Sequence, residues 1–369
     1  MTSTRARVSG LAFGTISDPL VKFALASSVG ALTVTASLAL AVLAFRARLL
    51  YRLAVERRVI ARWNPLIAEC AERVPPNLPL LTSRELEGFL ILWCRALESL
   101  RGHTAEHLRE MARRLRVEAH LQKLLRSNKL QLQLLAVVSL GHLHSRDAIP
   151  MLLELVREGP SLVSTNAARA LMRIDPGVAM PHVLEATASR ADWSLANVVP
   201  AFAEVDPEQV GPALAAAVST ELYKENRGIR AGGVARLLRL HVTAHSTALR
   251  PALLEVITTS ESVNALVAAV SALSHPQDVE HARRLLKHVH WPIRAAAAKT
   301  LSRLGNAEDF AALREVLSDA NWWVRYRAAQ ALAALPGVSA TELHDLARTL
   351  TDRFAADMLR QALAEREAR

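Results

Sequence analysis

The stretch WPIRAAAAKTLSRLG, residues 291–305, is answered 31 positions later by WWVRYRAAQALAALP, residues 322–336. Trp291, Ile293, Arg294, Leu301 and Leu304 meet Trp322, Val324, Arg325, Leu332 and Leu335 at that one step. A fixed period of this length marks a unit too small to bury its own apolar face, which must stack on copies of itself. A relaxed pattern, apolar-Arg-x-x-Ala-x-x-x-Leu-x-x-Leu, recurs with its first apolar residue at Leu132, Val163, Leu195, Ile229, Val263, Ile293 and Val324, at spacings of 31, 32, 34, 34, 30 and 31. Other positions keep the step: Ile149-Pro150 returns as Met180-Pro181, and Asp278 with Leu286 as Asp309 with Leu317. Each unit has room for two helices, such as AEDFAALREVLSD followed by WWVRYRAAQALAAL. Ala, Leu and Arg dominate, all strong helix formers, and the 14 Gly and 16 Pro fall mostly as punctuation between helix-sized blocks. The expected fold is all-α, an α-solenoid of helix pairs.

The line DFAALREVLSDANWWVRYRAAQALAALPG resembles a HEAT repeat, including the subgroup named after phycobilisome-lyase subunits. In that family an Asp ends the inter-helix turn and an Arg opens the second helix; Asp319 and Arg325 stand at those places, and Arg230 and Arg294 match the Arg position in two more repeats. The resemblance covers residues 120–365. It is interrupted where Gln133, Ser164, Ala196 and Asn264 occupy the Arg position, so the early repeats are degenerate. Thr351 to Arg369, with Phe354, reads as a terminal half-repeat that caps the stack. The resemblance implies binding rather than chemistry, on the extended surface that stacked pairs create. Arg230, Arg294, Asp319 and Arg325 are then expected to tie neighbouring repeats together. Trp193, Trp291, Trp322 and Trp323 all fall just before a second helix. They are candidate anchors for a protein partner, with packing against the adjacent turn as the competing role. The lyase-subunit likeness leaves one alternative, a lyase or lyase chaperone that cradles a tetrapyrrole.

Ahead of the repeats, residues 23–45, FALASSVGALTVTASLALAVLAF, carry no charge. At about 1.5 Å per residue such a run crosses a hydrocarbon core of about 30 Å. A single transmembrane helix is the expected reading, ahead of a cleaved signal peptide or a buried core helix. Ser27, Ser28, Gly30, Thr33, Thr35 and Ser37 give it the small groups that let helices associate in lipid, so self-association is compatible with it. The heavier basic flank follows the span: Arg46, Arg48, Arg52, Arg57, Arg58 and Arg62 against Glu56 alone, versus Arg5, Arg7 and Lys22 with Asp18 before it. By the positive-inside rule the tail of residues 1–22 faces outward and the rest lies in the cytosol, at a bacterial inner membrane if the Ala-rich, Arg-over-Lys usage reflects a GC-rich bacterium. Residues 46–116 form a basic helical juxtamembrane region and 117–369 the repeat array.

The net charge of +10 belongs wholly to the first third of the chain, because residues 130–369 hold 25 groups of each sign. Nucleic acid is therefore not an expected partner, since a binding array would carry its own basic stripe. The first basic block is read as a topology signal; Arg109, Arg113, Arg114, Arg116, Lys123, Arg126 and Lys129 fit a solvated face or contact with anionic lipid equally. Between these, the helix entering from the membrane is expected to stop at Asn64-Pro65, VPPNLPLLTS to break the chain, and Ser83 and Thr104 to precede further helices.

Signals for chemistry are thin. HTAEH, residues 103–107, has the spacing of an inverted zinc-protease motif, but an N-cap at Thr104 would leave His103 outside the helix. His241 and His245 are four apart with no carboxylate between them. Phosphate loops, nucleophile elbows and dinucleotide fingerprints are missing from the sequence. Cys70 and Cys94 are too few for a disulfide framework, although one bridge between them is open. The expectation is a protein-binding adaptor with no catalytic, cofactor or metal site.

Overall fold

A computed structural model describes residues 19–240 and 247–368. Among them every regular element is helical. They divide into two compact units, Met1–Trp93 and Cys94–Arg369.

In the first unit, α1 (Pro19–Glu69) runs unbroken for 51 residues. It is the one helix among the described residues long and apolar enough to cross a membrane, with a window of mean hydropathy 2.0, none of it buried. Its hydroxyls are satisfied within the helix: Thr33 donates to the Gly30 carbonyl, Thr35 to Ala31 and Ser37 to Thr33, each at 2.8 Å. The expected stop at Asn64-Pro65 does not occur; Pro65 sits inside the last turns and the helix ends at Glu69. What holds this end is burial. Val59, Trp63, Ile67 and Cys70 are all buried, together with Leu86, Phe89, Leu90 and Trp93 at the start of α2 (Leu86–Ser99). Trp63 and Phe89 meet edge to face at 4.7 Å, and Arg62 pairs with Glu85 at 2.9 Å. Glu85 also accepts from the amide and hydroxyl of Thr82, so the turn into α2 is fixed by Thr82 rather than by Ser83.

The second unit begins with α3 (His103–Arg114) and α4 (Val117–Leu125). The sequence AEHLREMARRLRVEAHLQKLLRS after Thr104 reads as one helix. The chain turns between α3 and α4 at Arg116, whose φ of 53° is left-handed, and α3 already starts at His103 behind Gly102. The stack follows: α5 (Leu130–Leu143), α6 (Ile149–Glu158), α7 (Ser161–Ile174), α8 (Pro176–Ser189), α9 (Leu195–Phe202), α10 (Pro207–Asn226), α11 (Gly233–Leu238), α12 (Arg250–Thr259), α13 (Val263–Ala272), α14 (Val279–Leu285), α15 (Trp291–Leu304), α16 (Phe310–Val316), α17 (Trp322–Ala334), α18 (Ala340–Thr349) and α19 (Arg353–Glu367).

α4, α6, α10, α12, α14, α16 and α18 each pack on the odd-numbered helix that follows, whereas α8 packs on α7, α10 and α11; odd-numbered helices also pack on one another, α5 on α7, α7 on α9, α11 on α13, α13 on α15, α15 on α17 and α17 on α19. This is a stack of two-helix units, an α-solenoid. The 31-residue pattern picks out its inner seam: Val163, Ile293 and Val324 are fully buried, as are Leu301, Leu332 and a run of alanines on α15 and α17. Alanine lets the helices approach closely, and Gly141 on α5 goes further, since a Cβ there would stand 2.9 Å from the Ala170 backbone on α7. One register prediction fails. Ile229 is 66 % exposed, because α10 runs on to Asn226, and Val234 fills the buried place instead. The end of the chain also differs from expectation. Residues from Arg353 are the second helix of a complete pair with α18.

Candidate protein-docking surface

The inter-helix turns are held by arginines, in two distinct arrangements. In the later repeats the Arg comes from the helix that the turn leads into. Arg294 donates to the carbonyls of His288 and Val289 at 2.8 and 2.9 Å and forms a fork with both Asp319 oxygens in the next repeat, at 2.7 and 2.9 Å. Burial raises the Asp319 carboxyl, but the Arg294 guanidinium and the Asn321 N–H outweigh it and hold it below the usual carboxylate range. Arg325 repeats the turn contact, donating to the Asp319 carbonyl at 2.8 Å, and lies 5.8 Å over the Phe354 ring.

Arg230 departs from this scheme. It reaches Glu221 at 3.4 Å, inside its own unit, as the shifted register around Ile229 requires. Sequence reasoning also missed the arginines that serve the degenerate repeats. Arg190 donates to Val156 and Gly159 carbonyls at 2.9 and 2.8 Å, and Arg236 to those of Thr187, Arg190 and Trp193 at 2.7 to 2.9 Å. Each ties a turn of an earlier helix pair from outside it. A further ladder joins the first helices: Arg250 meets Asp278 at 2.9 Å and Arg283 meets Asp309 at 2.6 Å, with both aspartates buried. The 31-residue recurrence of that Asp was its only sequence signal.

The tryptophans separate into two groups. Trp193 is 1 % exposed and donates its indole N–H to Ser164 at 2.8 Å. It is a core residue, which corrects its candidacy as a docking anchor, and it explains why Ser164 replaces the expected Arg. Trp291, Trp322 and Trp323 are 42, 43 and 50 % exposed at the starts of α15 and α17. Trp322 stacks on Tyr326 at 5.3 Å and meets Trp323 edge to face at 4.7 Å, while Phe354, beside Arg325, is also exposed. The result is an apolar, aromatic edge with polar tips.

On the face formed by α15, α17 and α19 lies a groove of about 480 Å³ lined by Lys299, Ser302, Arg327, Gln330, Glu365 and Arg366.

Of the basic residues after the span, Arg46, Arg48, Arg57 and Arg58 are exposed on α1, Arg62 holds Glu85, and the Arg52 side chain lies outside the described residues. Arg109, Arg113 and Arg114 are neutralised on their own helix by Glu106 and Glu110 at 2.9 to 3.2 Å. His241 and His245 also lie outside the described residues. Among those described, no three His, Cys, Asp or Glu side chains gather as a metal site. Cys70 and Cys94 are buried thiols that form no disulfide with each other.

Residues 250–333 and 283–365 match the family model for HEAT repeats. No curated protein matches the chain. Among solved structures, a crystal structure of an engineered protein aligns at 16% identity over 78% of this chain and 82% of its own, with a TM-score of 0.28. Human deoxyhypusine hydroxylase in complex with glycerol aligns at 15% identity over 87% of this chain and 99% of its own, with a TM-score of 0.23. At such scores neither alignment bears on the fold. The match to the HEAT-repeat model, over residues 250–365, coincides with the segment where the Arg and Asp ladders are regular.

Proposed function

We propose that this chain is a single-pass membrane adaptor whose HEAT-repeat array holds a protein partner at the cytosolic side of a bacterial inner membrane, without catalysing a reaction. The observation that carries docking is the cluster of Trp322, Trp323 and Tyr326, in mutual ring contact, with exposed Phe354 nearby at the turns of the stack. Exposed aromatics are the residues that anchor protein interfaces. The membrane reading is supported by the side chains from Ser27 to Leu50, all exposed on a helix that satisfies its own hydroxyls. In water this apolar length would have to be covered. The lyase alternative gains no support, since the matched model is that of HEAT repeats in general.

Photo-reactive amino acids placed at Trp291 and Trp322 in intact cells test the docking edge. One discrete crosslinked protein is expected at both sites; its absence there, with capture from the opposite face, would discard this edge. Alkaline carbonate extraction tests the anchor: the chain stays in the pellet if α1 spans the bilayer, and its release into the supernatant refutes the span.

A further inference from the structure

Residues 130–369 are neutral overall, yet the folded array sorts its charges unevenly. Around the last three pairs several cations have carboxylate partners: Arg283 with Asp309, Lys287 with Glu315, Arg294 with Asp319 and Arg348 with Asp345 at the turns and first helices, and Arg360 with Asp357 on α19. The groove across α15, α17 and α19 differs. Among the described residues its cations, Lys299, Arg327 and Arg366, form no ion pair. Arg327 reaches only the Gln330 amide oxygen, at 2.8 Å, and lies 5.8 Å over the Tyr326 ring. Arg366 donates to the Ala333 carbonyl at 2.7 Å with one of its nitrogens. The single acid, Glu365, accepts from Tyr326 at 3.3 Å and Gln361 at 3.1 Å.

Compensation of helix dipoles does not account for this set. That effect is confined to the last turn, and it covers Arg366, beside the end of α19. Lys299 and Arg327 stand more than a turn before the ends of α15 and α17, at Leu304 and Ala334. A groove lined by three cations and one acid is positive overall and complementary to a segment bearing carboxylates. Gln330 and Ser302 add hydrogen-bonding groups to its floor and rim.

We infer that the groove of α15, α17 and α19 binds an acidic peptide segment of the partner, its carboxylates set against Lys299, Arg327 and Arg366. This rests on the docking reading above and names the chemistry of its occupant. The groove differs from the aromatic edge in its contacts: charge governs it, so binding here weakens steeply with salt, as exposed charge pairs are screened within about 10 Å at 0.1 M.

The test selects random twelve-residue displayed peptides on the full chain in mild detergent, then measures binding of the recovered peptides to the wild type and to the K299E/R327E/R366E variant. A K299Q/R327Q/R366Q variant with an unchanged melting curve guards against misfolding. The recovered pool is expected to be rich in Asp and Glu. One charge pair at contact in water is worth about fivefold in affinity, so neutralising three in the Gln variant should weaken binding roughly a hundredfold, and the charge reversals should weaken it further. Recovered peptides that bind all three proteins equally overturn the groove and leave docking in place. Recovery of no peptide at all counts against both. Vesicles of phosphatidylserine and single-stranded DNA are run beside the peptides; if the charge reversals abolish binding of either while sparing the peptides, the groove serves lipid or nucleic acid and the inference falls.

Discussion

Lowering the pH should loosen the early repeats through one imidazole. His142, at the end of α5, is 6 % exposed. Its Nε2 lies 3.1 Å from an Arg173 nitrogen that can only donate, so the ring accepts there. Burial, then the cations of Arg173, Arg109 and Arg169, push its pKa down from 6.5 to about 4, with Glu204 opposing. Protonation would set a donor against the Arg173 donor and add a charge among three cations. The unfolded chain therefore takes up this proton from about pH 6.5 downward while the fold resists until about pH 4. Stability that is complete above pH 6.5 is lost as pH falls through that window. A gap of about 2.5 units at 1.36 kcal/mol each sets the full effect at about 3 kcal/mol. The assay is urea unfolding of the chain in mild detergent, from pH 7 to pH 4.5, for wild type and His142→Gln. Gln can still accept from Arg173, so the variant should match the wild type near neutral pH within about 1 kcal/mol. By pH 4.5 the wild type should have lost about 2–3 kcal/mol more than the variant. Acids held below their usual range, such as Glu204 and Asp319, act in the same direction but only lower down, and they are common to both proteins. Parallel pH profiles for the two proteins would refute the reasoning.

Gly141→Ala should destabilise the α5–α7 contact by about 1–3 kcal/mol, because the added methyl meets backbone that has no rotamer to yield; a thermal melt reads it, and an unchanged midpoint would deny the close approach. Asp309→Ala strips Arg283 and the Asn306 amide of their buried acceptor, and a loss of about 3 kcal/mol in urea unfolding is expected, whereas a neutral result would mean that water satisfies both donors. Burial pushes the thiols of Cys70 and Cys94 up to about 11, so iodoacetamide at pH 8 should label neither in the native chain and both after unfolding, as mass spectrometry would record.

The fold was largely legible because a stack repeats its demands. Ile293, Val324, Leu301 and Leu332 must be apolar for one reason, burial in the same seam, and the sequence therefore writes them at one period. Legibility failed where a single contact overrides a local rule. Pro65 should end a helix, but Trp63 and Ile67 on either side of it are buried and carry the helix onward. Arg116 reads as part of a helix, and the chain turns there at a positive φ. Trp193 and Trp291 occupy the same place in the pattern, yet one is buried and the other exposed. Trp193 lies in the turn before α9 and gives its indole proton to Ser164, whereas Trp291 is the first residue of α15. No period reports that.

The Arg ladder shows why a broken motif need not mean a broken structure. Turn carbonyls left over at helix ends require a donor, but the requirement does not specify which helix supplies it. Arg294 and Arg325 supply it from the helix the turn leads into, and the pattern sees them. Arg190 and Arg236 supply it from further along the chain, 34 residues beyond Val156 and 49 beyond Thr187, so the pattern reports a gap where the geometry has none. The same reasoning applies to charge. A neutral count over residues 130–369 describes a sum, whereas a partner meets a face. Asp309 with Arg283 and Asp319 with Arg294 each remove one acid and one base from the count together, so the ladders inside the stack leave its balance unchanged. The groove is positive because of which residues line it, Lys299, Arg327 and Arg366 against Glu365 alone.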